Sequence, residues 1–118
     1  MRYPSLIWTT AFSLILAMTE ASGHASLDHA EPRVGNTVAS PPHEVTLTFT
    51  QKLEPAFSTI TVTNAAGQRI DSGKARVSGS QMSISLKPGG SGTYHVNWRV
   101  LSVDTHTTDG SFTFQVGQ

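Results

Sequence analysis

An aspartate and a histidine two residues apart, Asp104 and His106, carry the strongest chemical signal in this 118-residue sequence. In extended backbone, residues i and i+2 project to the same side, so a carboxylate and an imidazole would point together. The next residues, 107–110, have the composition of a turn, and the alternation of Phe112 and Phe114 with polar residues predicts a returning strand. Such a pair could bind a metal ion. The same pattern would also arise from a turn aspartate that caps backbone N–H groups beside an exposed histidine.

The N-terminus has the pattern of a secretory signal peptide, which we assign to residues 1–23. A basic residue precedes a mostly apolar run over residues 6–18, which is too short to span a bilayer, and small residues follow it. This pattern predicts cleavage immediately before His24, which would then begin the exported chain. The alternatives are cleavage after Ala21 and cleavage after Ala25, and the second of these would remove the histidine.

A histidine at the start of a chain offers two nitrogens, the α-amine and Nδ1, which close a six-membered chelate ring on one metal ion. Their unperturbed pKa values are about 7.7–8.0 and about 6.5, so neither group is costly to deprotonate near neutral pH. His24 together with Asp104 and His106 would supply three nitrogens and one oxygen. That donor set suits Cu(II) or nickel better than calcium or magnesium, which prefer oxygen alone. The alternative is that His24 is a solvated terminal residue.

Composition limits the remaining choices. The exported region, residues 24–118, is long enough for one small domain. The chain has no cysteine, which excludes disulfides and thiolate ligands. Its 8 Lys and Arg residues balance its 8 Asp and Glu residues. This balance argues against nucleic acid or an anionic membrane surface as the partner, because both call for a basic excess.

Alternation of apolar residues with threonine, serine or other polar residues recurs through the exported region and predicts β-strands with one buried face. The runs with this pattern are residues 45–49, 60–62, 82–86 and 94–100. Turn signals separate them at Pro41-Pro42, Asn64 to Gly67, Ser72-Gly73, Ser78-Gly79 and Pro88 to Gly90. An edge strand is expected at residues 27–32 and an irregular crossover at residues 52–55. The sequence therefore predicts an all-β, immunoglobulin-like fold, a small Greek-key β-sandwich or barrel.

The exported sequence resembles the CopC family of periplasmic copper-binding (copper resistance) proteins. The residues that carry the resemblance are His24 to Leu27 with Glu31-Pro32, Val45 to Phe49 with Lys52-Leu53, Gly92 to Tyr94 with Val96, Trp98, Arg99 and Ser102 to His106, and Gly110 to Phe114. The resemblance covers residues 24–118 and implies a periplasmic Greek-key β-sandwich. It further implies one Cu(II) ion per chain, held by the amine and ring nitrogen of His24 together with Asp104 and His106.

The sequence departs from the family pattern at two places. Some members hold Cu(I) in a methionine-rich loop, since thioethers are soft ligands, whereas only Met82 follows the predicted signal peptide and its alternation predicts a core position. Gln51 stands where the family often has glutamate, which would make the site less anionic. Among the other histidines, His43 and His95 are interpreted as exposed. A ligand or supporting role for His29 is left as an alternative.

The predicted function is that of a periplasmic Cu(II) carrier or buffer in copper tolerance and homeostasis, and not that of an enzyme. One alternative is a copper-dependent oxidative enzyme with a brace formed by His24 and His106. Few aromatic residues are available for a polymer-binding face, and the Asp104 carboxylate would fill the position that oxygen needs. The other alternative is a metal-free immunoglobulin-like interaction module. The resemblance also implies a partner, a separate membrane copper transporter of the CopD type.

Overall fold

Eight β-strands account for most of residues 25–117, the part of the chain that the structure, a computed structural model, describes. The strands are β1 (Leu27–Glu31), β2 (Thr37–Val38), β3 (Glu44–Phe49), β4 (Thr59–Thr63), β5 (Asp71–Ser78), β6 (Gln81–Leu86), β7 (Gly92–Leu101) and β8 (Thr107–Val116). A short 3-10 helix, Pro55–Phe57, precedes β4. None of the described helical segments is long and apolar enough to cross a membrane. The predicted signal peptide and His24 lie outside the described residues.

The strands form two four-stranded sheets, ordered β1-β3-β6-β5 and β2-β8-β7-β4. Neighbours pair in antiparallel fashion, except for the short parallel pair of β2 with β8. Strand β3 pairs with β6 and β4 pairs with β7, although neither pair is adjacent in sequence. These interlocked pairs give the Greek-key arrangement and confirm the predicted all-β sandwich.

Alternate residues of the two sheets point inward and form one core, as the period-two pattern requires. The buried apolar residues are Ala25, Ala30, Val45, Leu47, Phe49, Leu53, Ile60, Val62, Ile70, Met82, Ile84, Tyr94, Val96, Val100, Phe112, Phe114 and Val116. Across the sandwich, the rings of Phe49 and Trp98 meet edge to face, with centroids 5.1 Å apart. Met82 is fully buried, which confirms its interpretation as a core residue.

Two predicted turns are parts of strands. Ser72-Gly73 lies within β5, where the register with β6 shifts between residues 72 and 76 and Gly73 takes a φ of 77°. A glycine in a strand often marks such an irregularity rather than a chain reversal. Residues 107–110 form the first half of β8, paired with the end of β7. Gly110 faces Trp98 there, and a Cβ on Gly110 would lie only 2.5 Å from Cζ2 of the indole, so close packing explains the glycine.

Candidate metal centre

The loop that joins β7 to β8 carries Asp104 and His106. The Ser102 N–H donates to the His106 carbonyl at 3.0 Å, and the Thr105 N–H donates to the Ser102 carbonyl at 2.9 Å. Thr105 has a φ of 73°, in the left-handed region that few non-glycine residues adopt. The aspartate and histidine side chains meet because the backbone reverses between them. The expectation of extended backbone at this point was therefore wrong, although the two residues do come together.

The two side chains of this loop form a pair open to solvent. Asp104 Oδ1 lies 3.3 Å from His106 Nδ1, and the side chains are 40% and 51% exposed, respectively. Two donors at about 2.0–2.2 Å from one ion, at a right angle to each other, lie about 3 Å apart. The observed separation therefore fits two neighbouring ligands of one ion, and the exposure gives that ion a way in.

Ser102 forms hydrogen bonds with both members of the pair. Its side chain is fully buried; the hydroxyl donates to Asp104 Oδ1 and accepts the His106 N–H at 3.3 Å. The Ser102 hydrogen bond is the main reason that the pKa of Asp104 is lowered, with His106 contributing and desolvation opposing. The carboxylate is thus ionised at neutral pH, in the form that binds a cation. Serines are frequent in this sequence, and no spacing singled this one out.

The chain enters the fold beside the same loop. Ala25 is fully buried, and its carbonyl accepts a hydrogen bond of 2.7 Å from the Thr108 hydroxyl on β8. The Ser26 N–H donates to Thr50 Oγ1 and the Thr50 N–H donates to the Ser26 carbonyl, both at 2.9 Å. The backbone at Ala25 is therefore fixed two residues along β8 from His106. His24 precedes Ala25 by one peptide bond, and its role as a ligand stays a prediction.

The crossover between β3 and β4 is hydrogen-bonded to the loop and to the end of β7. The Val103 N–H donates to the Lys52 carbonyl at 3.0 Å, and the Glu54 N–H donates to the Leu101 carbonyl at 2.8 Å. The 3-10 helix that follows, Pro55–Phe57, lies close to the predicted irregular segment. These two hydrogen bonds hold the loop and the end of β7 to the crossover.

In the described part of the chain, no other histidine forms a group with Asp104 and His106. His29 contacts its neighbour Asp28, with Nδ1 3.1 Å from Oδ2, and both side chains are exposed. His43 and His95 are also exposed, as predicted. Arg99 pairs with Asp109 at 3.4 Å. Within residues 25–117, no three His, Cys, Asp or Glu side chains cluster closely enough to hold a metal ion. Among the described residues, Asp104 and His106 therefore have no third side chain of these types beside them.

Comparison with known proteins gives this arrangement a context, since the CopC domain model matches residues 27–117. The chain belongs to the CopC family. Protein YobA of Escherichia coli K12 is 33% identical over 98% of this chain and 94% of its own length. Copper resistance protein C of Xanthomonas campestris pv. juglandis is 36% identical over 86% of each chain. The sequence resemblance to CopC is thereby confirmed.

Solved structures agree with the family assignment. The crystal structure of CopC from Methylosinus trichosporium OB3b superposes with a TM-score of 0.74 at 30% sequence identity. The match covers 80% of this chain and 94% of that one. The Asp104–His106 loop and the entry of the chain at Ala25 therefore belong to a CopC fold.

Proposed function

We propose that this CopC-family protein binds one Cu(II) ion per chain through His24, Asp104 and His106, and that it carries or buffers copper in the periplasm as part of copper tolerance. Copper is its cargo and takes part in no reaction. The observation that carries the proposal is the solvent-open pair of Asp104 Oδ1 and His106 Nδ1, 3.3 Å apart. Relatives named copper resistance protein C support the same role.

The proposed ligand set needs export and cleavage. Removal of residues 1–23 would give His24 a free α-amine, which adds to the ring nitrogen as a second donor. The backbone of Ala25, the residue that follows His24, is hydrogen-bonded to Thr108, two residues beyond His106. Three nitrogens and one carboxylate oxygen make up a tetragonal donor set that Cu(II) favours. All four positions are then filled by the protein, which suits a carrier better than an oxygen-activating enzyme.

Transfer of the ion is proposed to involve a second protein. We infer a separate membrane copper transporter of the CopD type as the partner, on the strength of the CopC resemblance. The half-exposed Asp104 and His106 side chains would let an acceptor approach the ion directly. No nucleic acid is expected to bind, because basic and acidic residues are equal in number.

Titration of the exported protein with Cu(II), followed by electron paramagnetic resonance at one equivalent, tests the proposal. We expect one bound ion with nitrogen and oxygen ligands. Asp104→Ala and His106→Ala should each weaken binding by at least tenfold, which corresponds to about 1.4 kcal/mol. His95→Ala removes an exposed histidine from the outer face of β7 and should leave affinity unchanged. Equal affinity in all three variants, or no binding by the unaltered protein, would refute the proposal.

A further inference from the structure

We infer that Thr108 is a positioning residue for the N-terminal metal ligand: its hydroxyl holds the Ala25 carbonyl and thereby directs the preceding residue toward Asp104 and His106. This inference rests on the proposed function, because it assigns a role in copper binding to the Thr108–Ala25 hydrogen bond, and neither of these residues is a proposed ligand. Thr108 itself would not touch the ion.

The contact has the geometry of a strong hydrogen bond. Thr108 Oγ1 lies 2.7 Å from the Ala25 carbonyl oxygen, within the usual range for a hydroxyl donor. Ala25 is fully buried, and a buried carbonyl without a partner is costly. Thr108 lies on the same inward-facing side of β8 as Phe112 and Phe114, and it pairs with Val100 of β7. The hydroxyl is therefore held, partly buried, beside the incoming chain.

Thr108 joins the two halves of the proposed site. Ser26 is bonded through both backbone groups to Thr50, directly after β3, so this contact ties the incoming chain to the sheet that contains β1 and β3. The Asp104–His106 loop belongs to the other sheet, which contains β7 and β8. The Thr108–Ala25 bond crosses from one sheet to the other, two residues beyond His106. It fixes the distance between the entering backbone and the loop.

Such a bond would favour chelation by lowering the cost of ordering the terminus. A chain end that becomes ordered on binding loses conformational freedom, and this loss subtracts from affinity. With the Ala25 peptide already held, part of that cost is met during folding. Loss of one neutral hydrogen bond typically changes an equilibrium by several-fold to about tenfold.

The test compares three variants of the exported protein. Thr108→Val keeps the branched shape and the strand preference but has no donor. Thr108→Ser keeps a donor, and Thr113→Val is the control on the same strand, since Thr113 lies farther along β8 opposite His95. We expect Cu(II) affinity, measured by competition with a chelator, to fall about tenfold in Thr108→Val, which is about 1.4 kcal/mol. Thr108→Ser should restore most of it, and Thr113→Val should match the unaltered protein.

A double-mutant cycle separates positioning from a general structural effect. In a His24→Ala background, which loses the imidazole but keeps the α-amine, Thr108→Val should cost much less copper affinity than it costs in the unaltered protein, because both changes act on the same ligand. In the copper-free protein, amide exchange at Ser26 should be several-fold faster in Thr108→Val than in Thr113→Val. Unchanged affinity and unchanged exchange in Thr108→Val would overturn the inference, as would an equal loss of affinity in the His24→Ala background. Absence of copper binding by the unaltered protein would refute the proposed function instead, and the exchange measurement would still show whether Thr108 holds the terminus.

Discussion

At Ser102, a fully buried hydroxyl donates to the Asp104 carboxylate and accepts the His106 N–H at 3.3 Å. Ser102→Ala would remove the hydroxyl that accepts the His106 N–H and would release the carboxylate. We therefore expect the free energy of unfolding to fall by about 1–2 kcal/mol, and Cu(II) binding to weaken because Asp104 is less firmly placed. Urea unfolding and copper titration measure the two effects. Ser111→Ala, at an exposed position of β8, is the control and should change neither.

A second carboxylate, that of Asp71, connects parts of the fold through hydrogen bonds. It accepts hydrogen bonds from Arg69 at 2.7 and 2.8 Å and from the Val62 N–H at 2.8 Å, and so links β5 to the edge of β4. Arg69 is the main cause of the lowered pKa of Asp71; Val62 also lowers it, whereas burial opposes both. A lowered folded-state pKa means that the ionised form stabilises the fold. This stabilisation is complete above the unfolded-state pKa, about 3.9, and is lost as the pH falls through the folded-state value.

Asp71→Asn should accordingly lower the free energy of unfolding by about 1–2 kcal/mol at pH 7, the range for hydrogen bonds to a charged group. The difference from the unaltered protein should shrink below about pH 4, because the unfolded chain then binds a proton at residue 71 that the native carboxylate, with its lowered pKa, does not bind. Urea denaturation at pH 7 and pH 3 gives both values. Asp28→Asn, at an exposed side chain, serves as the comparison. A deficit that is the same at both pH values would show that the charge of Asp71 is unimportant.

Residue types and spacing were enough to single out Asp104 and His106, because a carboxylate and an imidazole are both potential metal ligands. Ser102 and Thr108 could not be found this way, since serine or threonine occurs in every strand except β1. Their importance comes from the fold, which decides which hydroxyl lies beside which buried backbone group. The structure also shows Arg99 beside Asp109, a pairing that sequence distance does not indicate.

At the scale of elements, the hairpin of β7 and β8 carries the loop and depends on the contact of Gly110 with Trp98. A Cβ at Gly110 would lie 2.5 Å from Cζ2 and 3.0 Å from Cε2 of the indole. Gly110→Ala must therefore move the ring, and we expect a loss of about 1–3 kcal/mol in the free energy of unfolding, typical of overpacking. Thermal unfolding and Trp98 fluorescence report the change. Gly117→Ala, where the nearest atom would be the Val38 carbonyl oxygen at 3.5 Å, should be nearly neutral.

Strands with a regular apolar alternation were predictable, and so was the edge strand β1, whereas β2 and β5 were not. In strands β3, β4, β6 and β7 the buried residues all lie at alternate positions, and the sequence shows this alternation directly. Strand β5 forms the edge of a sheet and is largely exposed. Because it contains Gly73, Lys74 and Arg76, it lacks the apolar alternation by which a strand is predicted. Strand β2 has two residues, too few for any period. The start of β8 was mistaken for a turn because Asp109-Gly110 is common in turns.

For the whole molecule, the sandwich brings the entering chain and the late loop to the same place although residues 25 and 108 are far apart in sequence. Its core offers no accessible soft ligand in the described residues, because Met82 is fully buried between the sheets. A site at the chain entry would therefore take its donors from the terminus and the loop, and it would bind Cu(II) rather than Cu(I). This arrangement makes the proposed site dependent on where the mature chain begins.

Adding one glycine ahead of His24 tests that dependence. The added residue converts the α-amine into an amide, a poor donor, and breaks the chelate between amine and Nδ1. We expect Cu(II) affinity to fall by orders of magnitude relative to protein beginning at His24, about 1.4 kcal/mol for each tenfold. The β-type circular dichroism spectrum and the unfolding midpoint should stay the same, because the added residue precedes the buried Ala25 and removes no core contact. Mass spectrometry of the exported protein establishes the natural start. If the extended protein binds Cu(II) as tightly as the shorter one, the amine is not a ligand, and the site must be rebuilt around Asp104 and His106.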